Sequence, residues 1–111
     1  MATGVKTMNG VIGLDKQLSR VDSALEIAKL NNKKTGIVVT AEISHATPAG
    51  FAAHVESRLD YFDIADQYLD DTIEGKQKID VMLGGGRDHF IRPDRNLAQE
   101  FENLGYDIVH T

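Results

Sequence analysis

Gly36-Ile37-Val38-Val39-Thr40-Ala41 is a short run, rich in β-branched residues and apolar on both faces. A strand buried on both sides of a parallel sheet carries this pattern, whereas a half-exposed antiparallel strand alternates. Before it, Ala24, Leu25, Ile27, Ala28 and Leu30 recur at helical spacing from Val21 onward. Asp22 is positioned as the N-cap, and Lys29, Lys33 and Lys34 suit the negative end of the helix dipole. After the strand, Thr47-Pro48 opens a helix expected over 48–56. The residue before proline avoids the helical region, and proline suits the first helical position. Phe51 and Val55, four apart, are expected on the buried face of that helix.

The alternation continues. Ala65, Leu69 and Ile73 mark a helix over 62–73, and Ile79-Asp80-Val81-Met82-Leu83 reads as a second strand stopped by Gly84-Gly85-Gly86. Pro93 and Asp94 open a last helix with Leu97, Phe101 and Leu104 on one side, ended by Gly105. Tyr106-Asp107-Ile108-Val109 reads as a third strand. Residues 1–20 are a glycine-punctuated, loop-rich lead-in, and 21–111 hold the alternating helices and strands. The expectation is an α/β fold: an αβα layered, predominantly parallel sheet. Three strands leave two open sheet edges, so the 111 residues are expected to be one partial domain of something larger.

A net charge of -5, spread along the chain without a basic stripe, argues against nucleic acid as a partner. The chain has no cysteine, which excludes disulfides and thiolate metal sites. No apolar run is long enough for a membrane span. Met1-Ala2-Thr3-Gly4 lacks the basic and apolar stretches of a signal peptide.

The segment from Thr40 to Arg58 holds the candidate chemistry. Its first half follows the C-terminal end of a strand, where open α/β sheets place ligands. The Thr47 hydroxyl is a hard oxygen of the kind magnesium accepts, and equally an N-cap. His45 is either a polar loop residue or a group bridging to a metal through water. The Arg58 guanidinium could grip phosphate with two parallel hydrogen bonds, or simply be solvated near a helix end. His54 reads as structural. The triple glycine lacks the spacing of a dinucleotide or P-loop fingerprint and reads as a turn. Ser19, Ser23, Ser44 and Ser57 sit in no nucleophile elbow, and the four histidines form no zinc-ligand pattern.

Four stretches, in order, resemble the alkaline phosphatases. Thr3-Gly4-Val5-Lys6-Thr7-Met8-Asn9-Gly10 is similar to the stretch after that family's nucleophilic serine. Thr40-Ala41-Glu42-Ile43-Ser44-His45-Ala46-Thr47-Pro48-Ala49 resembles its magnesium-site loop. Ala53-His54-Val55-Glu56-Ser57-Arg58 resembles the segment bearing its phosphate-binding arginine, and Asp80-Val81-Met82-Leu83-Gly84-Gly85-Gly86 a later strand and turn. The resemblance implies that Arg58 binds phosphate, that Thr47 is a magnesium ligand and that His45 is an outer-shell neighbour of the magnesium. It implies hydrolysis of phosphate monoesters through a phosphoserine, with two zinc ions and one magnesium. The serine and the zinc ligands would lie outside these residues, so the chain alone should be inactive. A homodimeric parent, exported to the periplasm, envelope or exterior, is implied as well, with phosphate monoester or inorganic phosphate as the partner. The competing reading is a small non-catalytic α/β anion-binding or structural module.

Overall fold

The computed structural model describes residues 2–109. In chain order the elements are α1 (Ala24–Leu30), β1 (Gly36–Glu42), α2 (Ala46–Ala52), α3 (Tyr61–Asp70), β2 (Val81–Gly85), α4 (Arg87–Phe90) and α5 (Leu97–Asn103). β1 and β2 pair in parallel, with Ile37 opposite Met82 and Val38 opposite Leu83. The connection between them runs through α2 and α3, as parallel pairing requires. The expected α/β fold with a parallel sheet is therefore present.

Alternation along the strands decides what each face does. Ile37 is buried, and Met82 packs against the same core as Ile64, Ala65, Tyr68, Ile79, Leu97 and Phe101. The opposite face presents Val38, Val81 and Leu83, exposed by 71%, 50% and 56%. So much apolar sheet surface in the open is characteristic of an interaction surface.

Several expectations at element ends need correction. Tyr106–Val109 joins no sheet. Its anchor is a side chain: the Tyr106 hydroxyl donates to the Ile79 carbonyl at 2.5 Å, and its ring meets Phe101 edge-on. α2 ends at Ala52, not 56, because Ala53 turns to extended backbone at ψ 165°. The following residues then pair with the lead-in, with Val55 and Ile12 exchanging both backbone bonds at 2.9 Å. α3 stops at Asp70, and the chain then makes a tight turn in which Ile73 pairs with Lys76 and Gly75 sits at φ +79°. Asn96, rather than Pro93 or Asp94, caps α5 by accepting from the Gln99 amide.

The orientation of α1 departs furthest from its apolar pattern. Ile27 and Leu30 are exposed by 50% and 43%, whereas Glu26 is completely buried. Ser23, not Asp22, is the N-cap, and Ser23 with Glu26 forms a full capping box. The helix turns this polar corner inward.

Candidate functional site

The loop after β1 is fixed at every residue. Ile43 donates its amide to the Gly85 carbonyl at 3.0 Å, and its own carbonyl accepts from the buried Tyr68 hydroxyl at 2.6 Å. The buried Ser44 hydroxyl shares a 2.5 Å hydrogen bond with His89 Nδ1. The His89 ring is stacked on Tyr61, with centroids 4.8 Å apart and planes 4° apart. β2 must come very close to this loop. A Cβ on Gly84 would lie 2.7 Å from Ile43 and 2.8 Å from Val39, so only glycine fits without movement.

His45 is the N-cap of α2 and makes no side-chain cap bond. Thr47 is the second residue of the helix, so the expected cap position falls to His45, two residues earlier, and the Thr47 hydroxyl is not occupied in capping. Thr47 is exposed and borders a cleft of about 450 Å³ whose other walls include Leu25, Val38, Val39 and Phe51. As a donor set for magnesium this is a partial fit. One hard oxygen is present, but the cleft is mostly apolar, and the start of a helix favours anions over cations. The carboxylates of a complete site would have to come from elsewhere.

Arg58 lies in the irregular segment beyond α2. It is exposed, and its backbone N–H donates to the Gly10 carbonyl at 2.6 Å. Among the described residues it forms no ion pair, in contrast to Arg20, Arg92 and Arg95. Among the described residues, neither the Thr47 cleft nor the acidic groove beside Glu56 is lined by His45, Thr47 and Arg58 together. Residues flanking Arg58 in sequence, Glu56 and Asp60, line this acidic groove of about 580 Å³ with Asp63, Asp66, Asp70 and Asp71. The negative field of that groove repels anions from it.

A buried charged cluster under the same segment was not legible as a site. Glu26 and Lys78 are both 0% exposed. The Lys78 ammonium donates to Glu26 at 3.1 Å, to Asp71 at 2.7 Å and to the Ala52 carbonyl at 2.7 Å. Arg20 bridges Glu26 at 2.9 Å and Asp71 at 3.0 Å. His54, outside α2 rather than inside it, meets Glu26 through Nε2 at 2.9 Å and the Gly13 carbonyl through Nδ1 at 2.7 Å. Burial alone would raise the Glu26 carboxyl. Hydrogen bonds from His54 and the Ser23 amide, with the Lys78 charge, hold it far below the usual carboxylate range. Burial also opposes the Asp71 charge, and bonds from Lys78 and Arg20 outweigh it, lowering that carboxyl too.

Glu26, His54 and Asp71 bring ligand atoms within 4.8 Å of one another, the geometry of a small metal site. The Lys78 ammonium already bonds to both carboxylates there. A metal ion would have to displace a buried, fully paired cation, so the triad reads as an ion-pair network. One sequence signal was available for it: Ser23-x-x-Glu26 is a capping-box pattern. Nothing in the local sequence marks Lys78 as buried.

Comparison with known proteins assigns the family. The alkaline phosphatase family model matches residues 1–111. Alkaline phosphatase 4 of Bacillus subtilis (strain 168) is 56% identical over all of this chain, which corresponds to 24% of that protein. Alkaline phosphatase 3 of the same organism is 50% identical over 98% of the chain and also 24% of its own length. The chain thus spans about a quarter of the length of these curated relatives. Among solved structures, the alkaline phosphatase of the Antarctic bacterium TAB5 superposes with a TM-score of 0.85 at 35% identity, over 99% of this chain and 31% of that one. A variant of the TAB5 enzyme, with Mg bound, superposes with a TM-score of 0.86. The Thermus thermophilus enzyme gives 0.88 at 33% identity, over 99% and 23%. With its whole length matched by the family model and its fold superposing on solved members, this chain belongs to the alkaline phosphatase family.

Proposed function

We propose that these residues form part of a phosphate-monoester hydrolase in which Arg58 holds the transferred phosphoryl group and Thr47 contributes one oxygen to magnesium. The observation that carries the reading is the treatment of Arg58. Its backbone is fixed by a short bond to Gly10, while its guanidinium is exposed and unpaired among the described residues. A guanidinium so placed is available for two parallel hydrogen bonds to phosphate oxygens. His45, at the turn before α2, is the outer-shell neighbour of the magnesium.

Thr47 would contribute one oxygen to a magnesium ion, and magnesium and zinc, when bound, would supply charge neutralisation at the phosphate and activation of the attacking oxygen. Within this chain, Arg58 binds and orients the phosphate, and the Ser44–His89 and Tyr68–Ile43 bonds hold the Thr47 loop in place. The serine that accepts the phosphoryl group and the zinc ligands belong to other parts of a longer protein. That protein is a homodimer acting in the periplasm, envelope or exterior. The isolated chain lacks the phosphoryl acceptor and does not turn over substrate.

The test uses the Bacillus subtilis relative with its matching quarter exchanged for these 111 residues. Arg58→Ala in that enzyme should weaken inhibition by inorganic phosphate by roughly tenfold or more, the equivalent of one charge-assisted contact. Unchanged phosphate inhibition and rate would reject the role.

A further inference from the structure

Residues 53–58, directly after α2, are neither helix nor sheet strand, and Arg58 ends this stretch. An irregular segment holds an arginine accurately only if its backbone is tied down from outside. Here the ties are dense. Where α2 hands over to it, the last two helical carbonyls are held: Phe51 accepts from the Ser23 hydroxyl and Ala52 from the Lys78 ammonium. Gln67 clamps His54, accepting from its amide at 2.7 Å and donating to its carbonyl at 2.9 Å.

The lead-in is tied to the same place. Gly10 accepts from Arg58, Ile12 pairs with Val55, and Gly13 accepts from the His54 ring. The approach at Gly13 is closer than any side chain allows. A Cβ there would lie 2.2 Å from the Ala53 carbonyl oxygen and 2.6 Å from His54 Nδ1, and φ is +65°. The His54 ring is therefore a brace with one end on the lead-in and the other on Glu26. Glu26 in turn is held by Lys78, Arg20 and Ser23. Buried ion networks seldom add net stability over apolar packing of the same volume, but they do fix one arrangement against its neighbours.

We infer that Glu26 and His54 are positioning residues: through the brace they set Arg58 and the glycine-rich lead-in against each other, without touching phosphate themselves. The inference rests on the phosphate-binding role of Arg58 proposed above.

The experiment is a double-mutant cycle in the segment-exchanged enzyme, reading the inhibition constant for inorganic phosphate, KM and kcat per folded molecule. Glu26→Gln and His54→Gln are each made alone and together with Arg58→Ala. His54→Gln removes one arm of the network and keeps the buried Glu26–Lys78 pair, so it remains informative if Glu26→Gln fails to fold. With Arg58 present, each change should weaken phosphate inhibition by about fivefold, within the range of couplings between residues of one network. In the Arg58→Ala background the same changes should have less than about a twofold further effect, because the group they position is gone. Equal losses in both backgrounds, or no loss with Arg58 present, would overturn the inference while leaving the role of Arg58 intact. If Arg58→Ala alone leaves phosphate inhibition unchanged, the functional reading fails, and the positioning role with it.

Discussion

Replacing Lys78 with methionine tests the buried network directly. The ammonium is 0% exposed and makes three contacts of 2.7–3.1 Å, two of them to carboxylates. Methionine keeps most of the volume and removes the charge. Glu26, also fully buried, would then rely on His54, the Ser23 amide and Arg20, whose side chain is 45% exposed. Breaking one side of a buried pair costs about 3–5 kcal/mol, because the other charge is left uncompensated. A chain of this size has about 5–15 kcal/mol of stability in total. Lys78→Met should therefore remove a large share of it and shift the urea midpoint down by 1 M or more, given slopes of about 1–3 kcal/mol per M. Glu26→Gln should do similar damage. Combined, the two changes leave no orphaned charge at the centre, and Asp71, at 22% exposure, keeps Arg20 and some water. The double variant should thus lose about 1–3 kcal/mol less than the sum of the single losses. The assay is urea unfolding of the three variants and the parent chain, followed by far-ultraviolet circular dichroism. Strictly additive losses, or single losses below about 1 kcal/mol, would refute the coupling.

Acid should act on the same network. Glu26 and Asp71 have folded-state pKa values below their ordinary 4.5 and 3.8. Their stabilisation is fully present above those values and is lost as pH falls through the lower folded ones, so stability should drop below about pH 4.5 and more shallowly in Glu26→Gln; a parallel decline in both proteins would contradict this. At the loop after β1, Thr47→Val in the segment-exchanged enzyme should lower bound magnesium and turnover together, measured by metal analysis and rate. Unaltered magnesium content would remove Thr47 as a ligand.

What was legible in the sequence follows a physical division. Ile37-Val38-Val39 and Val81-Met82-Leu83 were readable as parallel strands because their β-branched and apolar character is local. α5 was readable from Leu97 and Phe101, both now in the core. The orientation of α1 was not. Its apolar residues suggested a buried stripe, yet tertiary contacts from His54, Lys78 and Arg20 draw Glu26 inward and leave Ile27 outside. Long-range pairing likewise shortened α2, because Ile12 claims Val55, and a side-chain anchor replaced the strand expected at 106–109. Thr47 and Arg58 stood out only through the family resemblance, since by spacing each had an ordinary reading. The bonds that hold their segments span 13–52 residues, as in Gln67 to His54, Tyr68 to Ile43 and Lys78 to Glu26, and no local pattern encodes such pairs.

The most direct test of the central claim is hydrolysis of p-nitrophenyl phosphate, with zinc and magnesium supplied, by the purified 111-residue chain and by the segment-exchanged Bacillus subtilis enzyme side by side. The account predicts no turnover above buffer from the chain alone, and metal-dependent turnover from the exchanged enzyme that falls by roughly tenfold or more with Arg58→Ala. Metal-dependent turnover by the chain alone that is abolished by Arg58→Ala, or a folded exchanged enzyme indifferent to Arg58→Ala, would contradict it.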